Sequence, residues 1–114
     1  MIGIIFEVEP HPEHREAYLD MAAKLRPELE KIEGFISVER FQSLTNEGKM
    51  LSVSFFENEN ALEDWRKLEA HRIAQQMGRG TYFKDYRLRV ASVIRDYSMS
   101  DRDEAPEDSR LRNG

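Results

Sequence analysis

The sequence predicts an α+β fold of ferredoxin-like order, β-α-β-β-α-β, with a four-stranded antiparallel sheet and both helices on one face. Three observations lead there. Runs of alternating apolar residues stand near the start, middle and end of the chain. Two stretches between them carry apolar residues every three or four positions, the spacing of a helix with one buried side. Turn-forming residues, Pro10, Gly34, Gly48 and Asn58, fall at the joints. At 114 residues the chain has room for one such domain and one core.

The first strand is Ile2 to Glu9, with Ile2, Ile4, Phe6 and Val8 pointing one way and Gly3, Ile5, Glu7 and Glu9 the other. Pro10 and Pro12 end it, and Pro12 suits the first turn of a helix. That helix runs to about Ile32 on a stripe of Tyr18, Met21, Ala22, Leu25, Leu29 and Ile32. Pro27 inside it removes the donor to the Ala23 carbonyl and predicts a kink. Gly34 is placed to stop it. "FISVERFQSL", Phe35 to Leu44, is the second strand, and Gly48 in "TNEGK" is expected to supply a positive φ for the hairpin. "MLSVSFFE", Met50 to Glu57, is the third.

Asn58 or Asn60 caps the second helix, with Asn60 and Glu63 spaced as a capping box. It runs to about Met77, with a break expected near Glu69. "TYFKDY" reads as a short helical turn before a last strand, Tyr86 to Tyr97. The domain is therefore 1–97, and the acidic segment 98–114 has almost nothing to bury and is expected to be disordered.

With both helices on one face, the other face of the sheet should be polar in alternation if it met water. It is not. Leu51, Val53 and Phe55 oppose Met50, Ser52, Ser54 and Phe56, and Ile36 and Val38 oppose Phe35 and Phe41. A bare face carrying such residues predicts an interface, here two sheets packed face to face in a homodimer.

Composition narrows the function classes. A net charge of −5 disfavours a nucleic-acid partner, because phosphate binding needs a basic face. No apolar run reaches a membrane span, and "MIGIIFEVEP" lacks the basic start of a signal peptide, so a cytoplasmic location is expected. Without cysteine there is no disulfide, thiolate nucleophile or thiolate metal site.

Chemistry concentrates in "WRKLEAHRIAQQMGRG", Trp65 to Gly80. On an ideal helix Ala61, Leu62, Trp65 and Leu68 share a side, as do Glu69, Arg72 and Gln76, while His71 and Gln75 lie to one edge. Polar groups on a core side are costly when unpaired. The second half of the helix therefore either borders a cavity or leaves the sheet for water. In the first case His71 is a candidate general base, and Arg72 and Arg79 candidate holders of an oxyanion. In the second they are solvated, with Arg72 and Arg79 in ion pairs to Glu69 or Asp85. His11 and His14 in "PHPEH" lack a third convergent ligand and read as surface.

"GFISVERFQS", "LSVSFFENENALEDW" and "AHRIAQQMGR" together resemble the antibiotic biosynthesis monooxygenase domain, over about Ile2 to Tyr97. The resemblance implies a dimeric α+β barrel. It also implies oxidation of a small aromatic, phenolic or quinol substrate by O2 with neither metal nor flavin, so no cofactor is expected. On that reading His71 draws off a phenolic proton and Arg72 and Gln75 hold the oxyanion, with Arg79 a further substrate-binding residue. Trp65, Phe83 and Tyr86 wall the ring. Related members degrade haem through an axial histidine ten residues after the tryptophan. Here that position is Gln75, and the first strand has no asparagine, which argues against haem degradation. The alternative class is a non-catalytic homodimer that binds a small hydrophobic ligand.

Overall fold

The computed structural model describes residues 1–76 and 82–108, with the backbone alone over 69–76. The strands are β1 (Ile2–Pro10), β2 (Phe35–Gln42), β3 (Met50–Phe56) and β4 (Phe83–Ser92). A 3-10 turn, Pro12–His14, leads into α1 (Arg15–Leu29), and α2 is Glu59–Gln76. The four strands form one antiparallel sheet in the order β2-β3-β1-β4. The β-α-β-β-α-β fold expected from the sequence is the fold observed.

The core lies between the helices and one sheet face, in two clusters. Ile4, Leu25, Leu29, Val38, Phe56, Ala61 and Trp65 make the first. Phe6, Val8, Tyr18, Met21 and Met50 make the second. The alternation of β1 and the three-four stripe of α1 account for most of both, because each element turns one apolar face inward. Phe56 has no exposed surface at all, and full burial of such a side chain contributes about 1.5–3 kcal/mol.

Several local expectations are corrected. Phe35 and Val38, expected on opposite faces, both pack on the core. The register of β2 against β3 slips between Phe35 and Ser37, so one extra residue reverses the alternation there. Strand β2 ends at Gln42, not Leu44. Gly48 does not need a positive φ, since the connection spans 43–49 rather than a two-residue turn. Side chains shape it instead: the Asn46 Oδ1 accepts from the Gly48 N–H at 3.1 Å, and the Gln42 Nε2 donates to the carbonyls of Glu47 and Lys49 at 2.9 and 3.1 Å.

The cap of α2 is Asn58, whose Oδ1 accepts from the Ala61 N–H at 3.0 Å, rather than the Asn60–Glu63 box. The helix then continues through Glu69 without the expected break. "TYFKDY" is not a helical turn from Phe83 on: Phe83 already pairs with Pro10 as the start of β4. That strand stops at Ser92 because its partner runs out, Ile2 being opposite Ser92 and the Met1 carbonyl taking the Val93 N–H at 3.0 Å. Beyond it, the Asp96 N–H meets the Glu104 carboxylate at 3.1 Å, Arg102 lies over the Tyr97 ring at 5.3 Å, and Ala105 is buried.

Gly34 is the one described glycine with a positive φ, +91°. A Cβ built there would stand 3.1 Å from the Ala61 Cβ, so the glycine both turns the chain into β2 and lets it pass close under α2. Gly34→Val is expected to cost roughly 2 kcal/mol or more, from left-handed strain plus displacement of α2. A urea midpoint lowered accordingly, with far-UV circular dichroism unchanged in form, is the result that checks it.

Candidate functional site

The seam between the two core clusters is not fully closed. A small pocket opens there between the sheet and the helices, with about 30 Å³ of free space, room for one or two waters. Its walls are mostly apolar: Ile4 and Phe6 from β1, Met21, Ala22, Leu25 and Leu29 from α1, and Trp65 from α2. Its polar groups are Tyr18 from α1, Arg40 from β2, and Ser52 and Ser54 from β3. An apolar lining with a few convergent polar groups is the usual make-up of a small-molecule site.

Strand register brings the polar groups together. Arg40 lies directly opposite Ser52, and Val38 opposite Ser54, on the helix-covered face. Ser54 is buried at 4% exposure. The guanidinium of Arg40 has its Nε buried without a hydrogen-bond partner among the described residues. Its neighbours on β2 are engaged from α1: Arg15 donates to the Gln42 side chain at 2.9 Å, and Arg26 to the Val38 carbonyl at 3.2 Å. Both approaches are cationic. Neither offers Arg40 an acceptor.

Of the residues singled out from sequence, Trp65 lines this pocket and packs on Phe56, ring centroids 6.5 Å apart. Phe83 and Tyr86 are not among the pocket's lining residues but pack on Phe6, with centroids 6.2 and 5.9 Å from its ring. Phe83 also meets Tyr18 edge-on at 5.6 Å. Tyr86 is 62% exposed, because β4 is the sheet edge that the helices leave uncovered. His71, Arg72 and Gln75 belong to the last two turns of α2, where their side chains lie outside the described residues. Arg79 lies outside the described residues altogether.

Four pocket residues lie outside the α2 stretch that the sequence singles out: Tyr18, Arg40, Ser52 and Ser54. Tyr18 read simply as part of the helix stripe. The signal for the serines was in the alternation of β3, which sets them on the same face as Met50 and Phe56. Two hydroxyls on a face covered by helices announce a polar recess, and the facing position on β2 is Arg40.

Elsewhere, His14 packs its ring on Tyr82, centroids 4.4 Å apart, with His11 at 6.5 Å. Among the described residues no group of three or more His, Asp or Glu side chains is placed to hold a metal, and no helix is long and apolar enough to cross a membrane. The sheet face away from the helices bears a charged cluster in which Glu7 accepts from Arg89 and, at 3.3 Å, from Lys49. The hydrogen bond from Arg89, then that from Lys49, holds the Glu7 carboxyl below its ordinary pKa.

Comparison with known proteins agrees with this architecture. The model of the family described as antibiotic biosynthesis monooxygenase matches residues 1–77. A protein of Pyricularia oryzae named jasmonate monooxygenase ABM is 44% identical over 93 residues, 82% of this chain and 43% of that protein. The uncharacterized protein YqjZ of Bacillus subtilis is 32% identical over 62 residues, 54% of this chain and 53% of its own. The chain thus spans about half the length of the curated relatives it matches. The solved structure of Rv0793 from Mycobacterium tuberculosis superposes with a TM-score of 0.73, covering 85% of this chain and 98% of that one. At 17% identity that likeness speaks for the fold. With the family model covering well over half of its length, the chain belongs to the antibiotic biosynthesis monooxygenase family.

Proposed function

We propose that the chain is a monooxygenase domain that acts, as a homodimer joined through its bare sheet faces, on a small and mostly apolar substrate held between sheet and helices. The observation that carries this reading is the pocket: apolar walls, an indole at one side, and a phenol, a guanidinium and two hydroxyls converging on it. Family membership and the activity named for the Pyricularia oryzae relative support an oxygenase over other uses of such a recess. As found, the recess is too small for a ring, so substrate entry requires side chains to move. Met21, unbranched, is the wall that adapts most readily.

For an aromatic, phenolic or quinol substrate the chemistry balances without a cofactor. A doubly benzylic CH2 plus O2 gives C=O plus H2O, the substrate supplying all four electrons. The protein then contributes deprotonation, orientation and exclusion of water. His71 is the proposed base, Arg72, Gln75 and Arg79 the oxyanion holders, and Trp65, with Phe83 and Tyr86 packed on Phe6, the aromatic wall. The experiment is oxygen uptake by metal-stripped protein against a panel of quinols and polycyclic phenols. His71→Ala is expected to lower turnover by about 10²- to 10⁴-fold, the usual worth of a general base, with the unfolding midpoint unchanged. Uptake equal in the mutant rejects His71 as base. Uptake no faster than autoxidation rejects the oxygenase.

A second reading, a ligand-binding dimer without catalysis, is favoured by one feature. Among the described pocket residues no carboxylate or imidazole stands ready to take a proton. Saturable binding with no oxygen consumption is the result that would establish it.

A further inference from the structure

We infer that Arg40 is the anchor for an anionic head group, so that the ligand of this pocket is a small lipophilic carboxylate, gripped by the β2 guanidinium with its apolar body along Ile4, Leu25, Leu29 and Trp65. The inference deepens the proposed function, since it concerns the same pocket.

An arginine on the helix-covered face of a sheet normally has a carboxylate or a row of carbonyls to meet it. Here the Nε is buried with no acceptor among the described residues, and no ion pair to Arg40 is found among them. The neighbouring acid on its own strand, Glu39, alternates to the opposite face, pairing with Val53. Its near neighbours from α1, Arg15 and Arg26, are cations already committed, Arg15 to the Gln42 side chain and Arg26 to the Val38 carbonyl and the Glu30 carboxylate. No carboxylate among the described residues therefore meets the Arg40 charge.

What stands around the guanidinium suits an anion. Ser52, directly across the ladder, and Ser54, one row on, offer hydroxyl donors from the same face. Ala22, buried above the sheet, is the smallest residue in the α1 wall and leaves space there. A guanidinium presents two parallel N–H groups to a carboxylate, which a single hydroxyl or carbonyl cannot exploit as fully. The remaining walls are hydrocarbon and aromatic, which suit an aromatic or alkyl body rather than a second charge.

The test separates binding from turnover. Trp65 is the sole tryptophan and lines the pocket, so its fluorescence reports occupancy directly. The probes are 4-cyclohexylbutanoate and its neutral primary amide, titrated without any oxidisable substrate. Wild type is expected to bind the carboxylate about 10- to 100-fold more tightly than the amide, the range for a charge-assisted pair over a neutral hydrogen bond. Arg40→Gln should erase that preference while leaving amide affinity within about threefold, and Arg40→Lys should keep part of it. Because no carboxylate among the described residues meets the unliganded cation, Arg40→Gln should also melt no lower than wild type. Equal affinity for both probes in wild type overturns the inference, as does a preference that survives Arg40→Gln or the failure of either probe to bind. Oxygen uptake does not enter, so loss of the oxygenase reading would leave this result standing, and the reverse.

Discussion

Trp65→Ala should remove about 3–5 kcal/mol of folding stability, the cost of deleting a large buried aromatic. A domain of this size has only about 5–15 kcal/mol to lose. The indole is 7% exposed, packs on a fully buried Phe56, and sits in the same cluster as Ile4, Leu25, Leu29 and Val38. It fixes α2 to the sheet at mid-helix, since Ala61 one turn earlier is too small to do so and Leu62 and Leu68 are only partly buried. Urea unfolding followed by far-UV circular dichroism is the measurement, because the mutant has no tryptophan to follow. Trp65→Phe should recover more than half of the loss. Its residual deficit measures how much of the indole faces the pocket rather than Phe56. A loss under about 1 kcal/mol, the level of an ordinary surface substitution, would mean that the ring is a wall of the pocket and little else.

That dual position explains which parts of the site could be read from the chain. Tryptophan at helix spacing with Ala61 and Leu68 announces a core anchor, and the alternation of β1 announces which of its residues the anchor meets. Arg40 was opaque for a different reason. An arginine in "SVERFQS" on an edge strand reads as solvated, and alternation counted from Phe35 assigns it to the wrong face. Only the slip at Ile36, a pairing property of two strands, turns it inward. Ser52 and Ser54 needed no such correction, yet two serines signal a recess only once a helix is known to cover them. The extent of β4 was likewise hidden, because it is set by where β1 begins and ends rather than by anything in "FKDYRLRVAS". Elements whose character is local were legible, and those decided by a distant partner were not.

The second large effect concerns the bare face of the sheet. Val53 lies at its centre, directly opposite Ile5 on one side and Glu39 on the other, with Leu51 and Phe55 on the same face. Phe41, across from Leu51, is 46% exposed, and the Phe55 ring lies over Gly3, where an added Cβ would come within 3.1 Å of it. Around this band stand Glu7, Lys49 and Arg89, with both cations on the one carboxylate, so the trio brings one net positive charge to the rim of an interface. A second copy covering the face by two-fold symmetry would bury Val53 twice. Val53→Glu then places two uncompensated carboxylates in the contact, and the dimer should weaken by at least about 100-fold, since each unpaired buried charge costs several kcal/mol. Light scattering across a concentration series should show wild type as a dimer and the mutant as a folded monomer. The folded core should be little affected, because the side chain points away from both helices. If wild type is itself monomeric at every concentration, the face has another occupant and the proposed dimer falls. If the mutant remains a dimer, the copies meet elsewhere, and the uncovered helix-side strip of β4, with Leu88 and Val90 at 39% and 50% exposure, becomes the surface to mutate next.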